Sequence, residues 1–252
     1  MTGALRIEDF ALTDTGLARA ENEDSHASLP QAQAWLVADG MGGHENGRFA
    51  SQAIVDAVTA ADLPQGIEAA CQALGSAIHA ANKRIFAAAA DAGRLMGSTM
   101  VALVLRDDEF AVLWAGDSRA YLLRDDQLFQ LTRDHSQVQD MIDRGLLTPE
   151  DAADHPMRHV LARAVGVQAA LEVDAIRDHT HRGDLFLLCS DGLHGVVSDA
   201  EIAEILRGHG IGAAQPLVAA CLARGAPDNV TVVLVSANEP TLLALAGEES
   251  AQ

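Results

Sequence analysis

Four aspartates sit where apolar runs end or begin. Asp39 follows Trp35-Leu36-Val37-Ala38, Asp117 follows Phe110–Ala115 and a glycine, Asp191 follows Asp184–Ser190, and Asp228 stands just before Val230–Val235. Antiparallel neighbours present alternate chain ends at one rim of a sheet, so residues after one strand and before the next can meet there. Four aspartates at one rim, with no lysine among them, repel one another unless cations hold them together. Carboxylates with a backbone carbonyl select Mg²⁺ or Mn²⁺ over Zn²⁺, which prefers His and Cys. The three glycines after Asp39 (Gly40, Gly42 and Gly43) let the backbone turn sharply and approach whatever the carboxylate holds. Taken alone, that stretch reads better as an ordinary strand-turn-helix corner with a capping aspartate.

The elements that must position these carboxylates follow from periodicity. Residues 5–13 alternate loosely as a first strand, followed by a polar loop, 13–24, that holds one arginine among acids. After the Asp39 corner, Ala50, Ala53, Ile54, Ala57, Val58 and Ala61 repeat at helical spacing, and residues 66–92 predict a second, longer helix. A meander of strands follows at 100–105, 110–115, 120–123 and 128–131, with Asp107-Asp108 and Asp125-Asp126 as hairpin turns. Residues 136–159 lose the β pattern and read as an insertion lying over the body. Strands are expected at 171–177, 184–189 and 230–235, and helices at 199–208 and 212–224. Hairpin-linked strands with helix pairs before and after them predict an α+β fold, two antiparallel sheets packed together with helices outside. One domain over 1–240 is expected, with a fraying tail at 241–252.

The net charge of −19 over 252 residues repels nucleic acid and anionic lipid, which argues against both as partners. No apolar run approaches membrane-spanning length, and the N-terminus lacks the basic start and apolar block of a signal peptide. Cys71, Cys189 and Cys221 are an odd, widely spaced set, which reads as reduced core thiols of a cytoplasmic protein. A compact acidic domain without an exposed apolar repeat predicts a monomer.

Eight motifs in order carry a resemblance. They are Gly16-x-x-Arg19-x-x-Asn22-Glu23-Asp24, Ala38-Asp39-Gly40-Met41-Gly42-Gly43-His44, Gly97-Ser98-Thr99, Gly116-Asp117-Ser118-Arg119, Asp134-His135-Ser136, Arg163-Ala164-Val165-Gly166, Ser190-Asp191-Gly192 and Asp228-Asn229-x-Thr231. With them the chain resembles the metal-dependent serine/threonine protein phosphatases of type 2C, the PPM family, in the compact bacterial form. That resemblance implies a four-layer αββα sandwich and a mobile flap at 136–159. It implies that Asp39 bridges two metals, Mn²⁺ or Mg²⁺, and that Gly40 supplies a backbone oxygen. Asp191 and Asp228 would complete the first metal's shell, and Glu23 would lie near the second through water. Arg19 would hold the substrate phosphate, and a water bridging the metals would attack phosphoserine or phosphothreonine in line. Bacterial relatives suggest a third, weaker metal on Asp117 and Asp191. The partners implied are phosphorylated proteins and a serine/threonine kinase that the enzyme opposes.

Animal members of the family carry a histidine directly after the Asp-Gly pair as general acid; here that place is Met41. The group that protonates the leaving alkoxide stays open among metal-bound water, His44 and His159. Blander readings stand beside the sharp ones. Arg19 alone would be a surface residue paired with Glu21 or Glu23, and Asp117 a turn residue paired with Arg119. Asp14 and Asp24 read as turn or capping residues, Ser136 as a helix N-cap, and His179 and His181 as surface. A non-catalytic relative that binds a partner, or a phosphohydrolase of nucleotides or small phosphates, are the alternative functions.

Overall fold

A computed structural model describes residues 5–43, 45–152 and 155–239. The chain begins with β1 (Arg6–Asp14), β2 (Asp24–Leu29) and β3 (Ala34–Met41), followed by two helices, α1 (Glu45–Thr59) and α2 (Ile67–Ala92). The short β4 (Gly97–Ser98) leads into the meander β5 (Met100–Arg106), β6 (Glu109–Ala115), β7 (Arg119–Arg124) and β8 (Gln127–Gln130). The insertion holds α3 (Gln137–Asp143) and α4 (Pro149–Ala152). Then come β9 (Asp174–His179), β10 (Asp184–Cys189), α5 (Asp191–His194), α6 (Asp199–His209), α7 (Ala214–Ala223) and β11 (Val230–Asn238).

The strands form two antiparallel sheets, ordered β1-β11-β10-β7-β8 and β2-β3-β5-β6-β9, with β4 paired to β3. Alternation along each strand builds the layers. On β3, Trp35 and Val37 face the other sheet and join Phe186, Leu188, Val233 and Val235 in the central core. Leu36 and Ala38 of the same strand face the other way and pack with Ile54 of α1 and Leu74 and Ile78 of α2. A third cluster joins Leu187, Val232 and Leu234 to Ile202, Leu206 and Leu217 of α6 and α7. Helices therefore cover both outer faces, and the expected αββα sandwich is what the chain forms. Strands buried on both faces are apolar throughout, which is why β3, β5 and β10 read as unbroken runs.

The hairpin turns fall where expected. Asp107, Asp125 and Asp126 adopt positive φ of 53°, 50° and 62°, a conformation that aspartate tolerates better than most residues. Ser136 caps α3, accepting from the Gln139 N–H at 3.2 Å. Asp14 turns the loop by accepting from the Gly16 N–H at 2.8 Å. Two expectations change. The strand expected at 171–177 runs Asp174–His179, and residues 24–29, where the loop ends and no strand was expected, form β2. Asp24 is thus no turn residue; it is buried on a strand directly opposite Asp39.

The insertion is closed at its base by backbone bonds, Gln137 N–H to Val160 O at 2.9 Å and Ala162 N–H to His135 O at 2.8 Å, so it departs from and returns to one point. Two expectations, the fraying tail at 241–252 and the role of His44, concern positions outside the described residues. Among the described residues, no helix is long and apolar enough to cross a membrane.

The ends of β7 and β10 farthest from the aspartates are held by a buried ion pair. Arg124 Nε and Nη2 donate to the two Asp184 oxygens at 2.8 and 2.7 Å, and Nη2 also donates to the His179 carbonyl of the other sheet at 2.8 Å. The Asp184 side chain is 0% exposed. Arg124→Ala strands that charge in the interior, and we expect a loss of about 3 kcal/mol in urea denaturation. Arg6→Ala, which removes an exposed pair, should change stability by less than about 0.5 kcal/mol.

Candidate metal centre

Asp39, Asp117, Asp191 and Asp228 meet at one rim of the sandwich, in a cleft of about 620 Å³ that Arg19, Glu23, Gly40 and His159 also line. Two strands of one sheet deliver Asp39 and Asp24, placed opposite each other in the β2–β3 pairing. Asp117 sits on the crossover from β6 to β7, where the chain passes between sheets. Asp191 opens α5 after β10, and Asp228 precedes β11, the neighbour of β10 in the other sheet. The sandwich therefore brings together all the aspartates that the sequence singled out, from both sheets.

Glycine lets these turns touch. A Cβ at Gly40 would lie 2.1 Å from the Gly47 carbonyl oxygen and 2.6 Å from that of Glu23, so only glycine fits. Gly40 N–H donates to Glu23 O at 3.2 Å, and Ser51 Oγ donates to the same oxygen at 2.6 Å. The loop from 15 to 23 is fastened to the start of β11 by Asn229. Its Nδ2 donates to Thr15 O and Glu21 O, at 2.8 and 3.0 Å, and its Oδ1 accepts from Glu23 N–H at 2.8 Å. Asn229 entered the sequence reading only as part of a motif, and this structural role is its contribution.

The electrostatics are those of crowded carboxylates. Desolvation, then the charges of Asp24, Asp191, Asp117 and Asp228, hold the Asp39 carboxyl well above its ordinary range. Desolvation lifts Asp24 to about 7, although Thr231 and Ser190 hydroxyls bond it and pull the other way. Ser190 Oγ donates to Asp24 Oδ2 at 2.8 Å. Asp117 rises to about 8, through desolvation and then Asp191. Asp191 is raised by desolvation and by Asp228, and the Asp39 carboxyl lies within its hydrogen-bonding reach.

Arg19 pairs with neither Glu21 nor Glu23; its Nη2 donates to Asp228 Oδ2 at 2.6 Å. Arg119 acts on Asp117 only through its charge, which is outweighed by desolvation and Asp191. It forms a two-pronged pair with Asp134, Nε to Oδ1 at 2.9 Å and Nη2 to Oδ2 at 2.7 Å, which leaves Asp117 to the cleft. His179 is exposed on its strand, as the surface reading has it. Cys189 and Cys221 are buried and Cys71 is half-buried.

The donor set suits a hard cation. Every candidate ligand is an oxygen, and Asp191 Oδ1 and Asp24 Oδ1 are buried without a hydrogen-bond partner. Among the described residues, no three His, Cys, Asp or Glu side chains form a ready-made cation shell, and Asp228 is committed to Arg19. Oxygens that repel one another stand apart until a cation draws them in.

A pH dependence follows. Carboxyls with raised folded pKa bind more protons folded than unfolded, so they favour the fold below about pH 4 and lose that contribution as pH rises through about 7 and 8. In chelator-treated protein, the melting temperature should fall between pH 5 and pH 8.5, and millimolar Mn²⁺ should restore it most at the upper end. A melting temperature that rises across that interval without metal, or ignores Mn²⁺ at pH 8.5, would contradict this account.

Comparison with known proteins places this geometry. The family profile described as Protein phosphatase 2C matches residues 18–224. Serine/threonine protein phosphatase PstP of Mycobacterium tuberculosis is 39% identical over 89% of this chain, and the chain spans only 44% of that protein's length. Serine/threonine phosphatase stp of Listeria innocua is 37% identical over 90% of this chain and 94% of its own. Among solved structures, PppA, a key regulatory component of the T6SS in Pseudomonas aeruginosa, has a TM-score of 0.87 at 38% identity, covering 93% of this chain and 99% of that one. The catalytic domain of PstP, solved in complex with two manganese ions, has a TM-score of 0.83 at 36% identity, covering 93% of this chain and all of that one. The chain belongs to the protein phosphatase 2C family of serine/threonine phosphatases.

Proposed function

We propose that this protein hydrolyses phosphoserine and phosphothreonine in proteins, using divalent metal held at the rim described above, and that it opposes a serine/threonine kinase in the cytoplasm. The observation that carries the reading is the gathering of Asp39, Asp117, Asp191 and Asp228 in one cleft with an arginine at its edge. Asp39, Gly40, Asp191 and Asp228 would hold two ions, with Glu23 nearby and Asp117 with Asp191 at a third, weaker position. Metal bound there, Mn²⁺ or Mg²⁺, supplies charge neutralisation for the phosphoryl group and acidifies water for attack.

The residues of the chain do the rest. Arg19 is exposed at the mouth, where its planar fork can exchange Asp228 for phosphate oxygens. Asp39 and Asp191, facing each other at hydrogen-bonding reach, are the carboxyls that release a proton as cations arrive. His159 lines the cleft from the insertion and is the described histidine placed to give a proton to the leaving alkoxide. The insertion, closed at its base, would choose among substrate proteins. The net charge of −19 supports protein substrates over nucleic acid.

Turnover of a phosphothreonine peptide should exceed that of a nucleotide panel and should stop in EDTA. Faster nucleotide turnover would instead favour a small-molecule phosphohydrolase. Asp39→Asn should be the most damaging aspartate substitution, because it removes a charge that would serve both ions. Arg19→Ala should lower kcat/KM by about 10- to 100-fold, the worth of charge-assisted bonds to phosphate. Because Arg19 occupies Asp228, Mn²⁺ affinity in that variant should hold or tighten; weakened affinity would mean that Arg19 supports the loop and not the substrate.

A further inference from the structure

Asp117 is carried on a crossover that other parts of the protein grip from three sides. Towards β3, Ser118 Oγ and Thr99 Oγ1 share a 2.6 Å hydrogen bond, Asp39 N–H donates to the same Thr99 oxygen at 3.1 Å, and Thr99 N–H donates to Asp39 O at 2.8 Å. Towards the base of the insertion, Gly116 N–H donates to His135 Nδ1 at 3.1 Å, and His135 N–H donates back to Gly116 O at 2.9 Å. On the third side, His194 Nε2 donates to the Asp117 carbonyl oxygen at 3.0 Å. His194 ends α5, the four-residue helix that Asp191 begins.

These contacts divide the work. The Thr99–Ser118 pair fixes the crossover relative to Asp39, and His135 fixes it relative to the insertion. His194 joins it to the helix that bears Asp191. Asp117 and Asp191 are the pair that most needs such a tie. The Asp191 charge raises the proton affinity of Asp117 and is the largest charge acting on it. Gly116 beside Asp117 sits at φ 116°, a conformation open to glycine, and an added Cβ there would lie 2.6 Å from Thr99 Cβ, so the crossover passes close to Thr99.

We propose that His194 is a positioning residue: its Nε2–H bond to the Asp117 carbonyl sets the separation of the Asp117 and Asp191 carboxylates, and thereby the affinity of the weak cation site they share. This rests on the reading of Asp117 and Asp191 as ligands of that site. The bond requires the imidazole tautomer with its proton on Nε2, since a carbonyl only accepts. The second role of His194, filling space behind the cleft, is separable from the first because a side chain can keep the volume and lose the donor.

The test is calorimetric titration of Mn²⁺ into the full chain, with kinetics on a phosphothreonine peptide alongside. His194→Leu should weaken the weak phase about five- to tenfold, the worth of one buried hydrogen bond, and leave the tight phase in place. It should lower kcat with KM within about twofold. His194→Gln, whose terminal amide can reach the same carbonyl, should recover most of both. On an Asp117→Ala background, His194→Leu should cost nothing more. A weak phase in His194→Leu equal to wild type, or an equal loss with and without Asp117, overturns the proposal. If Asp117→Ala itself leaves the weak phase intact, the cation reading of Asp117 fails and takes the proposal with it. Should His194→Leu not fold, the pair His194→Gln and His194→Asn decides. The shorter Asn amide cannot reach, so Asn should weaken the site and Gln should not; equality of the two overturns the proposal.

Discussion

Carboxylates crowded where water is scarce repel one another, and this repulsion sets the terms for the rest of the structure. Two like charges 4 Å apart cost about 4 kcal/mol at an effective dielectric of 20. Asp24, Asp39, Asp117 and Asp191 therefore cannot all be ionised together at the rim without compensation, and their raised proton affinities express that conflict. Protons relieve it, and divalent cations would relieve it too, which is what the proposed function asks of such a cluster.

Such a cluster needs a frame that does not yield. The two sheets supply stiffness, but the aspartates lie in turns beyond the strands. Rigidity there comes from backbone touching backbone at glycines. At Gly192 an added Cβ would lie 1.9 Å from the Asn229 carbonyl oxygen, as close a fit as that at Gly40. Gly16, at φ 74°, would put one 2.2 Å from the Asp228 carbonyl oxygen. Polar side chains complete the frame: Asn229 across the loop, Thr99 and Ser118 between strands, Ser190 beneath Asp24. Each is short, so each fixes distance with little rotamer freedom to lose.

What the sequence revealed, and what it concealed, follow from the range of the interactions involved. Asp39, Asp191 and Asp228 were legible because a buried strand announces itself as an apolar run, and a carboxylate at its end is conspicuous. The αββα layering was legible from the hairpin turns and paired helices. Asp24 was not. Its strand, Asp-Ser-His-Ala-Ser-Leu, lies at a sheet edge, carries few β-branched or aromatic residues and looks like continued loop. Its position opposite Asp39 depends on pairing, which no local pattern encodes. The partners of Arg19 and Arg119 were also hidden. Each has acids nearby in sequence, yet Arg19 reaches Asp228, 209 residues away, and Arg119 reaches Asp134, across a hairpin. His194 could be seen only once the crossover was seen to pass it.

Asn229 bonds the carbonyl of Glu21 across 208 residues of chain, from the strand that lies between β1 and β10. That strand follows every other described strand in sequence, so the early loop with Arg19 and Glu23 is fastened by a contact of very long sequence separation. Contacts this distant close late, after local hairpins and helices have formed. The candidate ligands are likewise drawn from distant stretches, Glu23 to Asp228, so the candidate site cannot form ahead of the sandwich that carries it.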